Sequence, residues 1–137
     1  VSVRRSEVMR LRRAAANLVA DRYPGFQVVD FGHVGDGGLH LNLVWPHSLG
    51  RAYDEEAVNR MRDEVYELVV KTFRGSYSAE HGVGPHNHAY YLRYTAPAAL
   101  RLSGRLQRVL DPGQLCGTVQ YGQPATHVLA DGLQVMG

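Results

Sequence analysis

The sequence predicts an α+β fold, in which helices cover one face of an antiparallel sheet. Apolar residues recur at helical spacing in three long segments, and two short alternating segments lie between the first two of these. A glycine-rich turn separates the two alternating segments and indicates a hairpin. With 137 residues, 45% apolar and 20% charged, the chain is expected to form a single domain over residues 1–137.

The first half of the chain is predicted to contain one helix and two strands. Apolar spacing predicts the helix over residues 3–22, and the proline and glycine of "RYPGF" end it. Its buried residues are expected to be Val8, Leu11, Ala15, Leu18 and Val19. Alternation then predicts strands over residues 27–34 and 39–45.

The second half begins with a loop over residues 46–53 and a helix capped by Asp54. This helix is predicted to run to about residue 74, with Gly75 as the left-handed residue that ends it. Its buried stripe is expected to comprise Val58, Met61, Val65, Leu68 and Thr72. "GSYSAEHG" is then predicted to be a short third strand.

A helical turn at "HNHAYYLRY" and a last helix complete the predicted elements. The last helix begins at Thr95 or Ala96, with Pro97 in its first turn, and ends at "DP". Its apolar face is expected to comprise Leu102, Leu106, Val109 and Leu110. From residue 113 the chain is predicted to be irregular. Three strands make a small sheet, so either another segment completes it or the domain is part of a larger one.

The stretch "FGHVGDGGLHLN" allows three interpretations: a nucleotide-binding loop, a hairpin turn, or part of a metal site. A dinucleotide loop needs a third glycine and a following helix, whereas position 40 is a histidine and a strand follows. Asp36-Gly37 is a favoured two-residue hairpin loop. This turn would place His33 directly opposite His40, with Asn42 on the same face. The opposite, apolar face would comprise Val28, Val34, Leu39, Leu41, Leu43 and Trp45.

Two adjacent imidazoles on a hairpin are candidate ligands for zinc or another first-row metal. The alternative interpretation is that they are two ordinary polar residues near a turn. "SAEHG" offers Glu80 or His81 as a third ligand, although neighbouring residues of an extended segment point to opposite faces. Gly82 and Gly84 allow a bend that would bring both to one side.

The combination of "GHVGDGGLHLN", "GSYSAEHGVG" and a later "LQRVLDP" resembles the C-terminal domain of FAD-linked oxidases. This family includes D-lactate dehydrogenases, the glycolate oxidase flavin subunit and D-2-hydroxyglutarate dehydrogenase. The resemblance extends from about residue 28 to 111. It implies a ferredoxin-like portion of that domain, and a protein that oxidises a D-2-hydroxy acid to the 2-oxo acid.

By motif position, the resemblance implies that His33, His40 and Glu80 bind a divalent metal, usually zinc. It implies that Asn42 contacts the substrate and that His81 is the general base. Such a metal would lower the pKa of the substrate hydroxyl, an imidazole would accept its proton, and FAD would accept the hydride.

The sequence departs from the family pattern at three points. Gly38 replaces the usual asparagine before "LH", and the segment after "LDP" is altered. The residues that bind FAD are also expected to lie in an N-terminal flavin-binding domain of the same protein that this chain does not contain. The isolated chain is therefore expected to be colourless and inactive. A noncatalytic module that binds a metal or a partner protein is the alternative function.

Charge and composition weigh against other functions. A net charge of +2 is too small to indicate nucleic acid or an anionic membrane. Five arginines of the first helix are interpreted as its solvated face: Arg4, Arg5, Arg10, Arg12 and Arg13. No apolar run would span a bilayer, and Cys116 has no second cysteine as a disulfide partner. A cytoplasmic protein is expected.

Overall fold

The structure, a computed structural model, describes residues 1–45, 50, 52–117 and 119–122. Parts of the loop predicted over residues 46–53, and of the irregular segment predicted from residue 113, lie outside these residues. Along the described chain the elements are α1 (Val8–Arg22), β1 (Gln27–Phe31), β2 (His40–Val44), α2 (Glu55–Glu67), α3 (His88–Tyr94) and α4 (Pro97–Leu110). They form two compact units, Val1–Gly82 and Val83–Gly137.

The first unit confirms the α+β prediction. Its two strands pair antiparallel, and α1 and α2 supply the core beneath one face of the sheet. That core comprises Val19, Met61 and Val65, with Val28, Leu41 and Leu43 of the sheet packed against them. The outer face is left to solvent, with Val29, Phe31, Asn42 and Val44 exposed.

The hairpin register differs from the predicted one. A two-residue turn would place His33 opposite His40, but the ladder ends with Phe31 opposite His40. Residues 32–39 therefore form a wider loop. Val34, expected on the apolar face, lies in this loop and is 50% exposed, whereas Leu39 is buried as predicted.

Gly32 explains why the ladder ends early. Its φ of +147° is rarely adopted by other residues, and a Cβ there would lie 3.1 Å from both Gly38 O and His40 N. The chain leaves the ladder at this glycine. The resulting slip is two residues, an even number, so each strand residue keeps the face that alternation predicted for it.

Residues 1–3, which we call the N-terminal strap, take the place of the predicted third strand. Ser2 bridges Gly38 on one side and Ser76 on the other. Ser2 N donates to Ser76 O at 2.9 Å, and Ser76 N donates back to Ser2 O at 2.8 Å. Two predictions were therefore wrong. The first helix begins at Val8 rather than residue 3, and "GSYSAEHG" pairs only at Ser76.

Two glycines allow the strap to approach both neighbours. A Cβ on Gly37 would lie 2.0 Å from Val3 O, and a Cβ on Gly75 would lie 2.3 Å from Ser2 O. Gly75 was predicted to adopt the left-handed conformation at a helix end. Arg74 adopts it instead, with φ of 51°, and Gly75 is explained by the close approach.

The second helix begins as predicted and ends differently. Asp54 Oδ1 accepts a hydrogen bond from Ala57 N at 2.9 Å, the expected N-cap. A π-helical turn over Leu68–Thr72 follows Glu67. The wider turn changes which residue faces the core, so Val69 is buried and Thr72, predicted to be buried, is exposed.

The second unit contains α3 and α4. Residues 88–94 are helical as predicted, and Tyr91 Oη donates to Tyr121 O at 3.0 Å. The prediction that α4 packs through its apolar face was wrong. The residues of that face are at least half exposed: Leu102, Leu106, Val109 and Leu110. Leu100 and Gly104 are buried instead, and Gly122 lies close against Gly104. No described helix is both long and apolar enough to span a membrane.

The glycine contacts predict a specific loss of stability. Gly37→Ala is expected to lower the free energy of unfolding by about 2–4 kcal/mol, because it adds left-handed strain and a clash with Val3 O. Gly35 lies in the same loop, has no positive φ and has open space around its Cβ position. Gly35→Ala is therefore the matched control, expected to be neutral or up to about 1 kcal/mol stabilising. Urea denaturation measures both, and equal midpoints would contradict the packing argument.

Candidate metal centre

The hairpin brings the two predicted histidines together without making them cross-strand partners. His40 begins β2 on the outer face. His33 lies at the start of the loop, where its carbonyl accepts hydrogen bonds from Asp36 N at 3.0 Å and Gly38 N at 3.1 Å. These bonds fold the loop back, and the two imidazole centroids lie 6.2 Å apart.

Asp36 acts as a turn residue, as predicted. Its Oδ1 accepts a hydrogen bond from Gly38 N at 2.8 Å. An aspartate that bonds its own backbone two residues on stabilises a turn.

Glu80 reaches the same place from the segment that the strap holds against the hairpin. Its Oε1 lies 2.9 Å from His40 Nε2, and its Oε2 lies 4.0 Å from His33 Nε2. One potential ligand atom from each of the three residues lies within 4.8 Å of the others. Two imidazole nitrogens and a carboxylate oxygen are a donor set that suits zinc.

His81 joins the cluster as well, because the backbone bends after Ala79. Its Nε2 lies 3.7 Å from Glu80 Oε1, and its ring centroid lies 6.1 Å from that of His40. Gly82 has a φ of +61°, and its carbonyl accepts a hydrogen bond from Ser78 Oγ at 3.1 Å. A straight strand would have separated the two side chains, whereas the bend over residues 79–81 brings both to one side; it lies before the two glycines that were predicted to allow it.

A cavity of about 230 Å³ lies between these segments. Its lining includes all four side chains of the cluster: His33, His40, Glu80 and His81. Asn42 does not line the cavity. Asn42 lies two residues from His40 on the exposed face of the sheet, opposite Val29.

Sequence reasoning missed Phe31. Its ring stacks on the His40 imidazole, with centroids 4.7 Å apart and planes inclined by 11°. The predicted register assigned His33 as the partner of His40, so no pattern pointed to a phenylalanine. Only the observed register, which Gly32 sets, identifies it.

Other histidine and arginine side chains of the described residues have partners of their own. His88 Nε2 lies 2.6 Å from Gln120 O, in the second unit. The five arginines predicted to be solvated are all exposed, although Arg4 and Arg5 precede α1. Arg10 pairs with Glu7, and Arg12 pairs with Asp30 of β1.

Known proteins resemble the chain over most of its length. Residues 1–118 match the model of the family described as FAD linked oxidases, C-terminal domain. The chain is 37% identical to D-2-hydroxyglutarate dehydrogenase of Stutzerimonas stutzeri, over 69% of this chain and 20% of that protein. It is 35% identical to D-2-hydroxyglutarate dehydrogenase of Xanthomonas citri pv. viticola, over 82% of this chain and 24% of that protein.

A vertebrate relative is also similar to the chain over a part of its own length. The mitochondrial D-2-hydroxyglutarate dehydrogenase of Danio rerio is 40% identical, over 62% of this chain and 15% of that protein. The chain thus spans about a fifth of the length of the two bacterial relatives. The matched family and the three relatives confirm the resemblance that the hairpin and "SAEHG" motifs predicted. The chain belongs to the FAD-linked oxidases, a family of flavin-dependent enzymes, and matches their C-terminal domain.

Proposed function

We propose that this chain is the substrate- and metal-binding part of an FAD-dependent enzyme that oxidises a D-2-hydroxy acid to the 2-oxo acid. Convergence of His33, His40 and Glu80 on one point is the observation that carries the proposal. The three relatives are named for D-2-hydroxyglutarate, so a 2-hydroxyglutarate-type substrate is favoured, with lactate and glycolate types as alternatives.

His33, His40 and Glu80 would hold a divalent ion, for which zinc is the first candidate. Three protein ligands leave coordination positions for substrate oxygens, as in catalytic rather than structural zinc sites. The cluster is open to solvent, since the Glu80 side chain is 51% exposed and that of His33 is 67% exposed. When bound, the ion would supply Lewis acidity that favours ionisation of the 2-hydroxyl.

His81 would accept the proton from that hydroxyl. Its imidazole lines the same cavity, and its side chain is 72% exposed, so a ring nitrogen is accessible to a substrate. Asn42 would orient a substrate oxygen from the neighbouring position on the sheet. Its amide has both donors and an acceptor, which suits a carboxylate or hydroxyl.

FAD would take the hydride, and it would be held mainly by a flavin-binding domain outside these residues. No residue of this chain is assigned to FAD. A noncatalytic module that binds a metal or a partner protein is the second candidate function, because all three proposed ligands come from this one chain. A cytoplasmic location and a single-domain organisation stay predictions.

The first test is metal binding by the chain itself. Equilibrium dialysis against zinc, followed by elemental analysis, is expected to give about one zinc per chain. The His33→Ala, His40→Ala double variant and Glu80→Gln should each raise the dissociation constant by more than tenfold. Loss of a group that only orients a ligand already costs about 10–100-fold.

His86→Ala is the matched control, since His86 is exposed and lies in the second unit. It should bind zinc like the wild type. Equal zinc content in the wild type and in Glu80→Gln would refute the proposed ligand set.

The second test asks what the loaded site recognises. The zinc-loaded chain is expected to bind D-2-hydroxyglutarate more tightly than glutarate, because glutarate lacks the 2-hydroxyl that the metal would contact. Asn42→Ala should weaken the binding of D-2-hydroxyglutarate by about tenfold, the cost of one lost hydrogen bond to a charged group. Asn17→Ala, on the exposed side of α1, is the control. Calorimetry that gave equal affinities for the two acids would contradict recognition of a hydroxy acid.

The third test asks whether the flavin is bound outside this chain. The isolated chain is expected to be colourless and unable to oxidise D-2-hydroxy acids, because the flavin would be bound elsewhere. Absorbance near the flavin bands and a dye-reduction assay measure this directly. A preparation of the chain alone that carried equimolar FAD and reduced the dye with D-2-hydroxyglutarate would show that the assignment of FAD to another domain is wrong.

A further inference from the structure

We infer that Phe31 is a positioning residue that fixes the plane of the His40 imidazole for metal coordination. This inference rests on the metal site proposed above and adds a residue to it. The observed register makes Phe31 the direct cross-strand partner of His40. Directly opposed side chains of an antiparallel pair lie on the same face and close enough for ring contact.

The geometry of the contact suits this role. The two rings lie nearly parallel, with an interplanar angle of 11° and centroids 4.7 Å apart. A metal–imidazole bond lies in the plane of the ring, along the nitrogen lone pair. A phenyl ring against the imidazole face restricts rotation about the Cβ–Cγ bond and occupies neither nitrogen.

The free edge of His40 points at the rest of the cluster. Its Nε2 lies 2.9 Å from Glu80 Oε1, while the His81 ring approaches at an interplanar angle of 71°. The His40 side chain is 30% exposed, against 67% for His33 and 72% for His81. His40 is therefore the most enclosed ring of the three, and Phe31 covers one of its faces.

A role in the core explains Phe31 less well. The residue is 60% exposed on the outer face of the sheet, whereas the core lies beneath the other face. An exposed phenylalanine contributes little burial of apolar surface. Stacked on His40, the same ring restricts the imidazole before a metal binds. Less orientational freedom is then lost on binding.

The experiment compares zinc dissociation constants of four forms of the full chain. Phe31→Leu removes the ring and keeps an apolar side chain, and we expect it to weaken zinc binding by about tenfold, the lower end for residues that orient a ligand. Phe31→Tyr keeps the ring and should stay within about twofold of the wild type. Tyr53→Leu removes another exposed aromatic ring, one that contacts Trp45 and lies outside the cluster, and should also stay within twofold.

NMR of the metal-free chain provides a readout independent of zinc. The ring protons of His40 should be shifted upfield by the stacked ring in the wild type and in Phe31→Tyr, and should lose that shift in Phe31→Leu. Weaker zinc binding by Phe31→Leu at an unchanged urea midpoint supports positioning of His40, whereas weaker binding that only accompanies a lowered midpoint is a structural effect and would overturn the positioning role.

The outcomes separate the two proposals. If the wild type bound no zinc, the metal site would be refuted, and the positioning role with it. If the wild type bound zinc and Phe31→Leu bound it equally well, only the positioning role would be overturned. Unshifted His40 ring protons in the wild type would also overturn it, since the stack would then be absent in solution.

Discussion

The N-terminal strap decides where Glu80 stands relative to His40. Its backbone is hydrogen-bonded to the hairpin loop on one side and to Ser76 on the other. These bonds fix the separation of two segments that are far apart in the sequence. The strap fits because glycines face it on both sides, with no side chain to hold it away. The geometry of the cluster therefore depends on backbone contacts among residues whose side chains are not proposed to bind metal or substrate.

The two faces of the sheet have different roles: the inner face packs on the core, and the outer face carries candidate site residues. Its inner side packs on α1 and α2, where Leu11 and Met61 are fully buried. Burial of this kind supplies most of the stability of a small domain. The outer side is then free to carry His40, Asn42 and the exposed Phe31.

Several parts of the fold and the site could be predicted because they depend on local patterns. The cap at Asp54, the turn role of Asp36 and the faces of the strands all follow from short-range preferences. The π-helical turn and the exposed face of α4 could not be predicted from periodicity. Periodicity does not report contacts between segments such as the approach of Gly122 to Gly104, which accompanies the burial of that side of α4.

The sequence by itself determined which residues could form the centre and which face of the sheet they occupy. Alternation fixes a face with a period of two, so an error of two residues in register left His40 and Asn42 on the predicted side. Only the tertiary structure decided which side chains contact each other. Gly32 ends the ladder and gives His40 a phenylalanine as its partner, while the strap and the bend over residues 79–81 bring Glu80 and His81 to one point. The physical reason is that strand faces follow from covalent geometry, whereas these distances follow from contacts between segments distant in the chain.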